Sequence, residues 1–188
     1  MKSKDNTSNR KVSERLSKIN PIIISIPTKG LEKDIYFAYL SKSKRWRSIV
    51  MNWAMNLLPE FTLSEVGPIY YSRQSLRNSL AHGSGKLKIL TLPFLDKMFR
   101  QGVFFFDEQD GNYHYYNFAY PIVFEDQQFY AILVAREDRN GKRFYDNEFT
   151  RILKKDELSY DTGSTNKADN LTHPSTSRLL HDILNVNN

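Results

Sequence analysis

The stretch YHYYNFAYPIVFEDQQFYAILVARED (Tyr113–Asp138) decides the fold class, because its residue pattern is that of strands rather than helices. Aromatic and β-branched residues dominate it, and the runs VFFFDE and KRFYDNEF extend the pattern on either side. Turn-forming residues separate the runs at Asp110-Gly111, Asp126 and Asn140-Gly141. Short apolar runs divided by such turns are typical of hairpins. We therefore predict an antiparallel meander of three to four strands.

The residues before this stretch have helical spacing instead. Apolar side chains recur at helical intervals over residues 44–58, and Pro59 follows, so a helix is predicted there, with Trp46 and Trp53 as core anchors. The segment RQSLRNSLAHG predicts a second helix, and residues 86–101 a third that Pro93 kinks or divides. The fold class is therefore α+β, with helices packed on the meander sheet, a mixed N-terminal region and flexible termini.

The two ends of the chain are polar and give weaker predictions. Residues 1–19 are predicted to be a flexible basic arm or a frayed helix, and residues 20–62 a strand and helix region. Within it PIIISI indicates a strand, whereas IYFAYL fits both helix and strand. Residues 63–155 form the α+β domain. Residues 156–188 are a polar linker that ends in a short amphipathic patch, SRLLHDILNV, which docks on the domain or on a partner.

Composition and charge restrict the class of protein. The chain of 188 residues has no cysteine, which excludes disulfides and thiolate metal sites, and its apolar runs are too short to span a membrane. We expect a soluble protein. The net charge is +6, and the segment from residue 73 to residue 100 contains six basic residues and only one acidic residue, Asp96. This concentration favours polyanions, with nucleic acid first and acidic membrane surfaces second.

Histidines are the first candidates for proton transfer. No metalloprotease, phosphate-loop or dinucleotide motif is present, and the histidines do not fall at metal-ligand spacings, so we expect neither a metal nor a cofactor. His82 ends a predicted helix among basic residues, a setting that suits a general acid or base and equally a surface histidine that caps a helix. His114 shares a strand face with Tyr116, which predicts either a polar strip for a ligand or ordinary sheet residues.

The turn around Asn140-Gly141 is the second candidate region. Its cations are Arg136, Arg139, Lys142 and Arg143. Such side chains hold phosphates and stabilise the charge that develops in a transition state, although the mixed charges here also fit a solvated hairpin rim. Asp146, just beyond the turn, is a candidate for orienting a catalytic histidine.

Taken together, RQSLRNSLAHGSGK and EDRNGKRFYDNE resemble the phage-associated nuclease domains of the barnase–EndoU–colicin–RelE group, which occur in large polyvalent phage proteins and mobile-element toxins. The resemblance covers about residues 67–152. It implies one or two helices packed on a four-stranded antiparallel sheet. It also implies metal-independent RNA cleavage, in which a ribose 2′-hydroxyl attacks the adjacent phosphate and leaves a 2′,3′-cyclic phosphate.

The resemblance also implies roles for individual residues. His82 is the acid or base, Arg77 and Arg143 clamp the phosphate, and Tyr145 donates a proton or stacks on a base. The full set of catalytic candidates is His82, Arg77, Arg143, Tyr145, Asp146 and His114, with Ser79 in the same helical motif. The candidates for RNA and phosphate binding are Arg73, Lys86, Arg136, Arg139 and Lys142. In two places, Asn78 and Asn147, this chain has asparagine where the family's pattern commonly has histidine.

These observations lead to one expected function and two alternatives. We expect a metal-independent endoribonuclease, a phage or mobile-element toxin, that acts on RNA such as tRNA or mRNA and has a cognate inhibitor protein. It would work in the cytoplasm of a bacterial host, either phage-encoded or injected, without a membrane partner. The alternatives are a non-catalytic nucleic-acid-binding module, which the two asparagines favour, and a phage interaction module.

Overall fold

The structure of the chain is a computed structural model that describes residues 3–81, 85–146, 151–155, 180 and 183–184. It is α+β, as predicted. The helices are α1 (Ser3–Ser17), α2 (Gly30–Leu40), α3 (Trp46–Leu57), α4 (Arg73–Ala81), α5 (Lys86–Thr91) and α6 (Leu95–Gln101), and a 3-10 turn at Leu92–Phe94 connects the last two. The strands are β1 (Ile22–Ile24), β2 (Phe61–Ser64), β3 (Gly67–Tyr70), β4 (Val103–Asp110), β5 (Tyr113–Phe124), β6 (Gln127–Glu137), β7 (Arg143–Tyr145) and β8 (Arg151–Lys154).

The sheet is built around the long hairpin of β5 and β6. On the outer side of β5, β4 pairs antiparallel with its first half and β1 pairs parallel with its second half. On the outer side of β6, β8 and β7 both pair antiparallel, and β7 continues through β3, which is parallel to it, to the antiparallel β2. The predicted meander is confirmed as β4, β5 and β6. The prediction of three to four antiparallel strands is corrected, because this sheet has eight described strands and two parallel pairings.

One face of the sheet holds the main core under the helices. Alternate residues of β5 point into it, among them Phe118, Tyr120 and Ile122, as the two-residue period of a strand requires. Trp46 and Trp53 on α3 are both buried, which confirms them as core residues. Pro93 lies in the 3-10 turn that divides the third predicted helix into α5 and α6. These helices therefore hold the central hairpin from one side.

A second, smaller core lies on the opposite face. Val12 and Leu16 on α1 pack there against strand residues and against Leu180 and Ile183. Residues 3–17 are thus helical, so of the two alternatives predicted for this segment, a flexible arm or a frayed helix, the structure has a helix. Val12 and Leu16, one helical turn apart, are its residues in this core. The C-terminal patch supplies Leu180 and Ile183 to the domain, whereas the predicted linker 156–174 lies outside the described residues.

Three elements were not resolved by the sequence pattern. IYFAYL belongs to helix α2, which settles its ambiguity, and the four-residue strands β2 and β8 were not predicted. No helix in the described ranges is long and apolar enough to cross a membrane.

Candidate active site

Strand register brings five polar side chains together at one end of the sheet. Asp107 on β4 lies opposite Tyr116 on β5, and His114 lies two residues before Tyr116. Glu137 on β6 is paired with His114, and Arg143 on β7 is paired with Glu137. Paired residues and every second residue along a strand share a face, so all five lie on the face that carries the main core. We call this set the strand network.

The hydroxyl of Tyr116 is the centre of the strand network. It donates a hydrogen bond of 2.8 Å to Oε2 of Glu137 and lies 3.2 Å from Nδ1 of His114. Arg143 Nη2 donates to the same oxygen over 3.4 Å. The rings of His114 and Tyr116 are stacked with their centroids 4.4 Å apart, and the guanidinium of Arg143 lies over the Tyr116 ring. One hydroxyl therefore connects a carboxylate, an imidazole and a guanidinium.

Two charge contacts complete the strand network. Oδ2 of Asp107 lies 2.7 Å from Nε2 of His114. Nε of Arg143 lies 2.9 Å from Oε2 of Glu137, as an ion pair whose angle is not that of a hydrogen bond. Asp107 and His114 are substantially exposed, whereas the Glu137–Arg143 pair is about three-quarters buried. A ligand can therefore reach the network from the His114 side and meet a fixed cation behind it.

The protonation of Tyr116 follows from its surroundings. Burial raises the pKa of its hydroxyl, the hydrogen bond to Glu137 raises it further, and Arg143 opposes both. Because the net shift is upward, the hydroxyl stays protonated well above neutral pH. It donates its proton to Glu137, so its oxygen is available to accept one from His114. The strand network is thus a continuous hydrogen-bonded path from imidazole to carboxylate.

Backbone geometry in the β2–β3 hairpin fixes the guanidinium of Arg143. Nη1 donates to the carbonyl of Val66, and Gly67 lies directly against the same nitrogen. A Cβ at Gly67 would stand 3.2 Å from Nη1, and the residue has a φ of +101°, a conformation that L side chains rarely adopt. Gly67 therefore permits both the turn and the position of Arg143.

Replacing Gly67 by alanine is expected to lower the free energy of unfolding by about 1–3 kcal/mol, because the new Cβ strains the backbone and crowds Arg143. The measurement is urea denaturation followed by circular dichroism. Gly111→Ala is the matched control, since Gly111 has a φ of +56° and open space around it. Its cost is expected to be smaller, about 1 kcal/mol. Equal losses for the two variants would show that Gly67 is not a support for Arg143.

The helical half of the predicted site is only partly visible. His82 and Asn147 lie outside the described residues, as do the side chains of Asn78 and Ser79. Arg77 is exposed on α4. Two of the predicted phosphate ligands lie away from the strand network with other partners: Arg73 donates to Asn52 over 2.8 Å, and Lys86 lies 3.5 Å from Glu125.

Tyr145 has a different place from the one predicted. Only 1% of it is exposed, and its ring packs edge-on against Phe99 and Tyr71 in the main core. A ring enclosed in this way cannot stack on a base, whereas the role of its hydroxyl as a proton donor stays a prediction. Asp146 is also buried, and its carboxylate lies 3.5 Å from Arg136. Among the described residues, Asp107 is the carboxylate that contacts a histidine.

The remaining cations of the turn lie away from the strand network. Arg136 is paired with Phe144 on the opposite face of the sheet, and its guanidinium lies over the ring of Tyr113. Lys142 is exposed with its ammonium 3.7 Å from the centroid of Tyr70. Arg139 is exposed in the turn itself. Of the predicted site residues, the structure thus brings His114 and Arg143 together in the strand network, and Arg136, Tyr145 and Asp146 together at a separate cleft.

Sequence reasoning missed Asp107 and Glu137. Glu137 was not readable from the Asn140-Gly141 signal, because a two-residue turn would pair Glu137 with Phe144, whereas the observed loop 139–141 pairs Asp138 with Lys142 and Glu137 with Arg143. Asp107 was not readable either, since a register shift between Phe104 and Phe106 sets which face of β4 it occupies. In the described ranges no three histidine or carboxylate side chains are grouped so as to hold a metal ion.

Comparison with known proteins places the chain in a family. Residues 41–145 match the model of large polyvalent protein-associated domain 3, and the chain belongs to that family. The matched segment runs from the residue after α2 to the end of β7 and contains every residue of the strand network. Neither the curated proteins nor the solved structures include a match. The association with large polyvalent proteins, which the sequence resemblance implied, is thereby confirmed, whereas nuclease activity stays a prediction.

Proposed function

We propose that this chain is a metal-independent endoribonuclease and that the strand network performs the chemistry. The observation that carries the proposal is the hydroxyl of Tyr116, which connects His114, Glu137 and Arg143 within 3.4 Å. Cleavage through a 2′,3′-cyclic phosphate needs a base, an acid and a cation near the phosphorus, and these three side chains supply one of each.

Each member of the strand network has a role in this reaction. Glu137 takes the proton of the 2′-hydroxyl while the bond from O2′ to phosphorus forms. The bond from phosphorus to O5′ breaks, and protonated His114 gives its proton to the leaving oxygen. Arg143 stabilises the negative charge on the phosphorane, for which a fixed guanidinium is suited. The products are a 2′,3′-cyclic phosphate and a 5′-hydroxyl.

Tyr116 and Asp107 support these proton transfers. After cleavage Glu137 holds a proton and His114 lacks one, and the Tyr116 hydroxyl between them offers a path for its return. Asp107 contacts the other ring nitrogen of His114 over 2.7 Å and so fixes the orientation of the ring.

The biological setting is also part of the proposal. Membership of a polyvalent-protein family supports a phage or mobile-element origin. We infer that the RNA of a bacterial host is the target, with tRNA and mRNA as the candidate classes, and that a cognate inhibitor protects the producing cell. A toxin of this kind would act in the host cytoplasm.

The alternative is a nucleic-acid-binding module without catalysis. Asn78 and Asn147, at positions where the family pattern commonly has histidine, favour it. A nuclease cleaves the RNA that it binds, whereas a binding module leaves it intact. A substrate that lacks the 2′-hydroxyl therefore distinguishes the two functions.

The test uses a labelled RNA oligonucleotide and the same sequence with 2′-deoxyribose throughout, each incubated with the purified chain in excess EDTA. We expect cleavage of the RNA alone, with 2′,3′-cyclic phosphate ends identified by mass spectrometry. Cleavage of the deoxy oligonucleotide would contradict attack by the 2′-hydroxyl. Binding of both without cleavage would establish the alternative.

A further inference from the structure

A row of aromatic rings crosses the sheet on the face opposite the strand network. Phe61 on β2 is paired with Tyr70 on β3, and Tyr70 is paired with Phe144 on β7, so the three rings share one face. The ring centroids of Phe61 and Tyr70 are 5.5 Å apart, and those of Tyr70 and Phe144 are 6.0 Å apart. We call Phe61, Tyr70 and Phe144 the ring row.

Cations accompany the ring row. The ammonium of Lys142 lies 3.7 Å from the centroid of Tyr70 and 5.4 Å from that of Phe144. On β6 the next position across from Phe144 is Arg136, which lies over the ring of Tyr113. Arg136 and Tyr113 therefore extend the row by a second pair of a cation and an aromatic ring. Both residues line a cleft of about 260 Å³, together with Phe144.

The ring row is open to solvent where it reaches the edge strand. Phe61 is 42% exposed, and Leu63, two residues along the same face of β2, is 65% exposed. Tyr70 and Phe144 are partly exposed, whereas Ile69 and Tyr145, their neighbours on the other face, are buried in the main core. The three rings of the ring row therefore do not belong to the main core.

We infer that the ring row binds unpaired bases of single-stranded RNA, an inference that rests on the proposed function for its ligand. Rings set side by side on a sheet offer successive flat surfaces on which bases stack, whatever their sequence. Lys142, which now covers Tyr70, has a flexible stem that lets its ammonium move to a backbone phosphate once a base takes its place.

Of the two cations, Arg136 is already paired with a carboxylate, whereas Lys142 has no ion pair with the residues that the structure describes. Asp138 accepts backbone hydrogen bonds from Asn140 and Lys142 within the turn, and Asp146 is paired with Arg136. An RNA strand is therefore favoured over an apolar protein surface, which would leave the ammonium of Lys142 without a partner.

The ring row also has a defined relation to the strand network. Arg143 and Phe144 are consecutive in β7 and point to opposite faces, and the turn 138–142 forms the end of the sheet between them. A single strand that stacks on Phe144 can pass over this end and present its next phosphate to Arg143. The ring row would thus hold the substrate while the strand network cleaves it.

The experiment measures binding with an RNA that cannot be cut, so that it is independent of catalysis. The probe is a fluorescein-labelled oligouridine with 2′-O-methyl groups, and the readout is fluorescence anisotropy. We expect the combined variant Phe61→Leu, Tyr70→Leu and Phe144→Leu to raise Kd by about tenfold or more, because leucine keeps apolar volume but cannot stack. Phe37→Leu is the matched control, since Phe37 on α2 is also exposed and also has a lysine, Lys33, over its ring.

Two further measurements keep the inference testable if the combined variant unfolds. Lys142→Gln is expected to reduce the slope of log Kd against log salt concentration by about 0.7, the value for one phosphate contact on a single strand, and Lys33→Gln is expected to leave it unchanged. RNA carrying 4-thiouridine should crosslink to peptides that contain Tyr70 or Phe144.

The outcomes separate this inference from the proposed function. Unchanged Kd in the ring variants, with crosslinks elsewhere, would overturn the inference even where the wild type cleaves RNA, and would leave the ring row to a protein partner. Loss of binding in the ring variants would support it even where no cleavage is found, and the proposed catalytic function alone would then fail.

Discussion

Replacing Glu137 by glutamine is expected to lower the rate of RNA cleavage by about 10²- to 10⁴-fold, the usual contribution of one proton-transfer group. The amide keeps the shape of the side chain and can still accept the hydrogen bond from Tyr116, but it cannot take a proton from a 2′-hydroxyl. The measurement is a single-turnover rate at saturating protein in EDTA. Because the substitution leaves the ring row intact, Kd for 2′-O-methyl RNA should change by less than about threefold.

Glu60→Gln is the control for this prediction, since Glu60 is an exposed glutamate just before β2 and is not part of the strand network. It should cleave at the wild-type rate. A Glu137→Gln rate within about threefold of wild type would place the base elsewhere and remove Glu137 from the mechanism. A loss of stability is a separate outcome, which circular dichroism of the same sample detects.

Replacing Phe99 by alanine is expected to lower the free energy of unfolding by about 3–5 kcal/mol. Phe99 on α6 is fully buried, and its ring packs edge-on against Tyr71, Phe118 and Tyr145. Removing it leaves a cavity where helix α6 meets strands β5 and β7, and neighbouring aromatic rings collapse poorly into such a space. Urea denaturation gives the change directly.

Phe37→Ala is the matched control for Phe99→Ala, because it removes the same ring from an exposed position. Its cost should be below about 1 kcal/mol. Equal losses in the two variants would show that the aromatic cluster around Phe99 is not the centre of the core. The result also bears on Tyr145, whose assignment to the core depends on that cluster.

The sequence predicted those elements that have a strong local pattern. Trp46, Val50 and Trp53 recur on one helical face, which predicts a helix. The strand-like residue pattern over β5 and β6 is long enough to predict strands rather than helices. Pro93 marked the division between α5 and α6 because its ring cannot continue a helix. Each of these predictions depends on residues that are close together in the sequence.

The sequence did not predict features that depend on distant pairing. Strand β1 lies beside β5, and β3 beside β7, although long segments separate them in the chain. Nothing local in GPIY or RFY indicates a parallel partner, and strands of three or four residues are stable only through such partners. Helix α1 was left open between a flexible arm and a frayed helix for the same reason, since its contacts through Val12 and Leu16 are with residues distant in the chain.

The candidate site shows the same division. His114 and Tyr116 were predicted to share a strand face, as a polar strip or as ordinary sheet residues, because they alternate within one strand. Their partners Asp107, Glu137 and Arg143 come from three other strands, so the strand network exists only through sheet register. The resemblance to nuclease domains directed attention to His82, which lies outside the described residues, whereas the strand network contains His114.

The most direct test of the central claim compares these two histidines in one assay. Wild type, His114→Ala and His82→Ala are incubated with total RNA in excess EDTA, and 2′,3′-cyclic phosphate ends are quantified. The strand network predicts that wild type cleaves, that His114→Ala loses about 10²-fold or more, and that His82→Ala stays within about tenfold of wild type. Full activity in His114→Ala together with loss in His82→Ala would contradict it and move the proton transfer to the helix.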